Sequence, residues 1–427
     1  MYEAAASIPP LLFMRDQPTV AILIFSDSVK DKVFTTACQN PGVGGTQYVS
    51  IQLALCLANK FPRLRVQLVN HCDILIREKY DNLQVKKAEN INLYFADLQA
   101  GKSNCVLIAP SSVLSHAHTA QLKSLSKRII AWIHHPFRFD FRLRDIVAHV
   151  HVGSYQYYSN SLFYKHNWLI NNLFSLPPGS IVRTAPKYGS KLRLVFLGAL
   201  VKAKGFLHVA RQWTSMKNLF HELELHVIGS SETYGRKIEH PLIPCDNDFA
   251  NQILDLIPAE DIINGSVVFH GNLGEEKFDI LHSAHFALLN PTGTSEAFPA
   301  SPLECMACGL PVIASDDYGM SDSMRYFPEL IISRPEDIPK RIDCLLSDSY
   351  AYKEVSLRCI AVASWYDSQT ESNLFRWMRL IEKVANDAQQ SFRSSPPLLP
   401  IYGSKRKWRF RQLKAFFNAL IRPIRGR

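Results

Sequence analysis

The chain holds 427 residues, with 48 Lys and Arg against 38 Asp and Glu, a formal net charge of +10. This length is more than one hydrophobic core ordinarily fills and predicts two domains. No run of eighteen apolar residues occurs, which excludes a hydrophobic spanning helix from the pattern, and nine scattered cysteines predict a reducing, cytoplasmic setting.

The opening MYEAAASIPPLLFMRD lacks the basic start and long apolar core expected of a secretory signal. VAILIFSD predicts a first buried strand. NPGVGGTQYVSIQLALCLANKF then predicts a glycine loop feeding an amphipathic helix, with Val49, Leu53, Cys56 and Leu57 on one face. Gly44 and Gly45 would let a phosphate or a sugar come close to the backbone. The loop is neither a G-x-G-x-x-G fingerprint nor a Walker A loop. RVQLVN, NCVLIAP and KRIIAWIHHPF add strands. The last ends at His134 and His135, and ligands of open α/β sheets bind at such carboxyl ends. SLPPGSIVRTAPKYGSK, residues 175–191, is rich in Pro, Gly and Ser and predicts a linker. LRLVFLG, LELHVIG (ending at Gly229), SVVFHG, FALLNP and PVIAS form a second strand set. Strands alternating with helical patterns in both halves predict an α/β fold of two doubly wound parallel sheets.

The densest signal is SEAFPASPLECMACGLPVIAS, residues 295–315. Two carboxylates, Glu296 and Glu304, are separated by seven residues, and a helix start lies between them. Ser301 is placed as N-cap, Pro302 as first helical residue and Glu304 as third, a capping box. Gly309 is placed to end the helix before a buried strand. An acidic loop residue thus sits beside a helix end whose N–H groups attract anions. One carboxylate can accept sugar hydroxyls while the helix end faces a phosphate, a plausible arrangement for a nucleotide sugar.

This passage resembles the E-x7-E region of retaining GT-B glycosyltransferases of the family 4 type, usually written EGFGLPxLEAMACGxPVVAS. Phe298, Met306-Ala307-Cys308-Gly309 and Pro311-Val312 share the pattern. KLRLVFLGALVKAKGF resembles the family's VGRLxxxKG, in which an Arg and a Lys clamp the diphosphate. Lys204 falls on the lysine, whereas the arginine position is Ala199. Lys202 is the nearest replacement, and a lysine cannot reproduce a bidentate guanidinium fork. The Gly44-Gly45 loop is similar to the family's first glycine loop, and His134 falls where family members carry a histidine facing sugar or acceptor. SWYDSQTESNLFRWMRLIEKVAND resembles the helix that crosses back to the first domain. The resulting divisions are a first domain over 1–180, a second over 190–364, a crossover helix over 365–390 and a tail over 391–427.

The resemblance implies a transferase that moves a sugar from a UDP- or GDP-linked donor to a glycan or lipid-linked acceptor with retention. Glu296, His134 and Lys204 would carry catalysis. Glu304, Gly44, Gly45, Lys202, Phe298, Ser301 and Gly229 would hold the donor. The family's Gly-Phe-Gly after the first Glu reads Ala297-Phe298-Pro299 here, and Pro299 has no N–H to offer a donor. A catalytically silent partner subunit, or another GT-B enzyme such as a sugar-nucleotide epimerase, therefore stays open.

No metal and no resident cofactor are expected. Asp246-Asn247-Asp248 fits a D-x-D, but it follows HPLIPC in a polar insertion rather than an apolar strand. Cys305 and Cys308 share one helix face and have no second pair to complete a zinc site. All ten excess positive charges lie from residue 391 onward, where ten Lys and Arg meet no Asp or Glu. Phe410, Leu413, Phe417, Leu420 and Ile424 recur there at helical spacing. Such a segment suits an anionic membrane surface rather than nucleic acid, because phosphate binding alone needs no apolar face.

Overall fold

The protein is described from a computed structural model over residues 18–386, apart from 37–39, 102–103, 136–139, 162, 165 and 188. The basic segment 391–427 lies outside the described residues.

Two parallel sheets organise the chain. The first has seven strands in the order Leu83–Lys87, Arg65–Asn70, Thr19–Leu23, Val106–Pro110, Ile129–Ile133, Ala148–His151 and Asn167–Leu169. The second has five, in the order Val267–Gly271, Leu223–Ile228, Leu192–Leu197, Phe286–Leu288 and Val312–Ile313. Every pairing within both sheets is parallel. Parallel sheets are covered on both faces, so their central strands read as continuous apolar runs. Ile129–Ile133 and Val106–Pro110 are buried at every position. All nine strands expected from apolar runs are present.

Three further strands of the first sheet were not legible. Ala148–His151 places His149 and His151 in the core, fully buried, where their Nε2 atoms meet the Leu143 carbonyl and Asn167 Oδ1 at 2.7 Å each. Burial pushes these imidazoles down to about 4 and about 3, so both are neutral at physiological pH.

The helix Gly45–Lys60 is buried nearly all round, at Val49, Leu53 and Leu57 and also at Ile51 and Leu55. The one-sided amphipathic reading understated its burial, because it packs against Arg65–Asn70 of the sheet on one side and the last helix on the other.

That last helix runs unbroken from Ser349 to Asn386, 38 residues. The helix thus starts sixteen residues before 365, where the sequence pattern began the crossover segment. Its first part packs against the helix Ser301–Ala307, and its later part reaches the first domain. There Trp377 meets Trp132 edge to face at 4.9 Å between centroids, and Phe375 meets Phe61 at 5.5 Å. Thr370 Oγ1 donates to the Phe174 carbonyl at 2.6 Å, fixing the start of the linker on this helix.

The linker holds no helix or strand among its described residues, but it is tied down. Arg183 donates to the carbonyls of Cys308 at 2.9 Å, His282 at 3.0 Å and Leu281 at 2.8 Å, and also to that of Ala284. Its backbone N–H donates to Ser356 Oγ at 2.9 Å.

Candidate active site

Residues at the carboxyl ends of strands from both sheets line one cleft of about 1430 Å³. His134 and His135 follow Ile129–Ile133; Ala199 follows Leu192–Leu197; Gly229 follows Leu223–Ile228; Asn290 follows Phe286–Leu288. Parallel strands end on one edge of their sheet, so these residues converge without adjacency in sequence.

On the second-domain wall, Glu296 is buried and Lys204 donates to both of its carboxylate oxygens, at 2.9 and 3.0 Å. Asn290 Nδ2 donates to Glu296 Oε1 at 2.9 Å, and also to the carbonyls of Thr294 at 3.1 Å and Ala203 at 3.3 Å. One amide thus joins the Lys204 loop to the Glu296 loop. Burial alone would depress the Lys204 ammonium, but the Glu296 carboxylate and Tyr234 beside it hold its pKa above the ordinary lysine value. Lys202 is exposed and lines the same wall.

Gly205, next after Lys204, adopts φ +78° and lies so close to Asn290 and Pro291 that a Cβ would stand 3.0 Å from Asn290 Oδ1. Gly229 has φ +134°, and a Cβ there would stand 2.2 Å from the Gly198 carbonyl oxygen. Its place is set by the close passage of two strand ends, which forms the floor of the cleft.

The capping box is absent. The helix Ser301–Ala307 has Ala300 as its cap with no side-chain hydrogen bond, and Ser301 is its first residue. Glu304 turns instead to Lys277, whose Nζ lies 2.7 Å from Glu304 Oε1. Lys277 and Glu304 are only 4% and 7% exposed. With Lys277 buried beside it, the Glu304 carboxylate is held as the partner of that ammonium, since either charge left unpaired there would be costly. Ser301, Glu304 and Lys277 all line the cleft. Phe298 is buried, with its ring 5.4 Å from that of Tyr366.

On the first-domain wall, Gly44 caps the helix Gly45–Lys60 without a side-chain hydrogen bond, and Gly45 and Thr46 line the cleft. No atom stands within 4 Å of a Cβ built at Gly45, so this backbone has open space before it. His134 lines the cleft as a neutral imidazole, because burial pushes its pKa down to about 3. Its Nε2 has no hydrogen-bond partner among the described residues. Arg142 lies on the same wall, held by Asp140.

Asp246, the first acid of the D-x-D, caps the helix Asn247–Leu254 by accepting from the Phe249 N–H at 3.0 Å. Cys305 and Cys308 are free and buried, and burial raises the Cys308 thiol to about 12.

Sequence reasoning missed Lys277 and Asn290. Lys277 stands in GNLGEEKFDIL, where it reads as one more surface charge. The signal available was its place beside Phe278 and Leu281 on the face that becomes buried.

Residues 181–361 match the family model described as Glycosyl transferases group 1. Among solved structures, the chain is similar to sucrose-phosphate synthase from Thermosynechococcus elongatus, with a TM-score of 0.63 at 15% identity, over 86% of this chain and 99% of that one. It is similar to a glycosyltransferase from Rickettsia africae, with a TM-score of 0.59 at 14% identity, over 87% of this chain and 100% of that one. The fold is GT-B. A third GT-B structure, Anabaena Alr3699/HepE in complex with UDP and glucose, has a TM-score of 0.56 at 12% identity, over 86% of this chain and 100% of that one. No curated protein matches the chain in sequence.

Proposed function

We propose that this protein transfers a sugar from a nucleotide-sugar donor to a glycan or lipid-linked acceptor, with retention at the anomeric carbon. The observation that carries the reading is the pair of carboxylates, Glu296 and Glu304, on one cleft wall, each joined to a lysine. The family match over 181–361 supports it, as does a GT-B neighbour described with UDP and glucose bound.

In this reading the donor lies along the second domain. Glu296 and His134 hold the transferred sugar. Lys204, Lys202 and the N–H groups at Ser301 hold the diphosphate, with no metal taking part. Glu304 holds the ribose, and Gly229 and Phe298 shape the floor. The bond from the anomeric carbon to the diphosphate oxygen breaks, and a bond from that carbon to the acceptor oxygen forms. The acceptor proton passes to the departing diphosphate. Negative charge grows on that leaving group, so Lys204 acts most strongly in the transition state. The acceptor enters past Gly44 and Gly45.

Pro299 favours a second reading, a silent partner subunit, since it withholds an N–H from the donor side. A thermal-shift panel of UDP-, GDP-, ADP- and dTDP-sugars separates the two. A shift with a donor, followed by release of its nucleoside diphosphate on adding acceptor, is expected of the transferase. No shift with any donor would leave the silent subunit standing.

Among the described residues no helix is long and apolar enough to cross a membrane. The ten basic residues after 391 support a peripheral seat on the cytoplasmic face of an anionic membrane, where a lipid-linked acceptor would be found. The full chain should sediment with anionic liposomes at low salt, and a chain ending at Gln390 should not. Equal sedimentation of the two would refute the membrane role.

A further inference from the structure

Away from the cleft, one group of side chains has the composition of a metal site. It lies where two neighbouring strands of the first sheet end. Thr19–Leu23 and Arg65–Asn70 run parallel, with Leu23 opposite Val69, and the two chains leave the sheet side by side. Asn70 holds them together there. Its fully buried amide accepts from the Ser26 N–H at 2.8 Å and donates to the Ser26 carbonyl at 3.2 Å and to Cys72 Sγ at 3.0 Å. Asp27 follows Ser26 and opens the short turn Asp27–Val29. His71 and Cys72 follow Asn70. Neighbours within a strand point to opposite faces, but the chain bends at these two residues once the strand has ended.

An imidazole, a thiol and a carboxylate are thereby gathered, with ligand atoms of Asp27, His71 and Cys72 all within 4.8 Å of one another. His71 Nε2 and Asp27 Oδ1 are 2.7 Å apart. Asp73, the next carboxylate along the chain, is turned to Lys87 at 2.7 Å and stands outside the group. A stabilising ion pair is a poor account of the arrangement, because Asp27 is exposed and exposed pairs contribute little. The donor set is more informative. Thiolate and imidazole together suit zinc, whereas magnesium and calcium call for oxygen ligands alone. Three such donors fill three corners of a tetrahedron. The Asn70 amide that donates to the sulfur is the kind of supporting contact that orients a metal ligand.

We infer that Asp27, His71 and Cys72 form a zinc site, with water in the fourth position. His71 binds through Nε2 in place of its hydrogen bond to Asp27, and the Cys72 thiol releases its proton to solvent as the sulfur binds. The two segments joined by the ion run on to Val33–Phe34 and Leu75–Ile76, which pair with each other. The first of them leads on to the glycine loop at Gly44. None of the three ligands is among the residues that line the cleft, so the site is structural and separate from the transfer proposed above.

The test is titration of the full, metal-stripped chain with Co²⁺, a coloured stand-in for zinc. The expected result is a thiolate-to-cobalt charge-transfer band with tetrahedral visible bands, saturating at about one ion per chain. Zn²⁺ should abolish the bands by displacement, and excess Mg²⁺ should leave them. Cys72→Ser should remove the charge-transfer band. Asp27→Asn should keep the band but weaken binding by at least about tenfold, the lower end of the cost of losing even a supporting contact. Asp27 is exposed, so this variant should fold, with an unchanged far-ultraviolet circular dichroism spectrum. Cys344→Ser removes an exposed thiol elsewhere and should change nothing. No charge-transfer band, a band that survives Cys72→Ser, or unchanged affinity in Asp27→Asn would each overturn the inference. Each of these results would leave the transferase reading untouched, since that reading uses none of the three residues.

Discussion

Replacing Lys204 with alanine is expected to lower transfer turnover by about 10²–10³-fold, the usual cost of removing one preorganised charge from a developing anion. Donor affinity should change much less, because the additional negative charge on the diphosphate develops only as the bond breaks. The substitution also strands the buried Glu296 carboxylate, leaving it Asn290 as a hydrogen-bond donor. Turnover should therefore be compared per folded molecule, well below the variant's melting temperature. Initial rates at saturating donor, with donor affinity from titration, separate the two effects. Turnover within about threefold of the unaltered protein would remove Lys204 from the chemistry. Lys204→Arg keeps the charge and should recover part of the rate.

The largest stability effect is expected at Arg183. This side chain donates to four backbone carbonyls belonging to two helix ends, one after Ser301–Ala307 and one at Lys277–Ser283. Burial depresses its pKa below the ordinary arginine value, yet the guanidinium keeps its donors matched. Arg183→Ala leaves those carbonyls short of a charged donor and should cost about 3 kcal/mol. For a domain of this size that corresponds to a fall of roughly 6–12 °C in the melting temperature of the second domain. Lysine is a point charge and cannot span four carbonyls, so Arg183→Lys should recover little. A fall of under about 2 °C in differential scanning calorimetry would show that the linker is held by its backbone instead.

The fold was legible where burial is uniform. Val106–Pro110 and Ile129–Ile133 were plainest, because a strand covered on both faces has no polar alternation to obscure it. Ala148–His151 was not legible, because two core histidines find partners only once the sheet exists. The site was legible residue by residue but not in its pairing. Glu296 and Lys204 are 92 residues apart, and their ion pair belongs to the folded chain alone. Glu304 looked like the partner of Ser301 three residues before it. The actual partner, Lys277, lies 27 residues away on another helix. Local patterns report on helix ends, whereas a buried charge is matched across the fold.

The helix Ser349–Asn386 completes the first domain from the far end of the chain. Trp377 fills the space against Trp132, and Leu380 and Ile381 are fully buried in the same stretch. During synthesis, residues 18–174 leave the ribosome with that groove uncovered, and the whole second domain must follow before it can be filled. N-terminal domains commonly fold first as units. Here the first domain reaches its final packing only after residue 386 has emerged, so the two halves of the cleft are finished together.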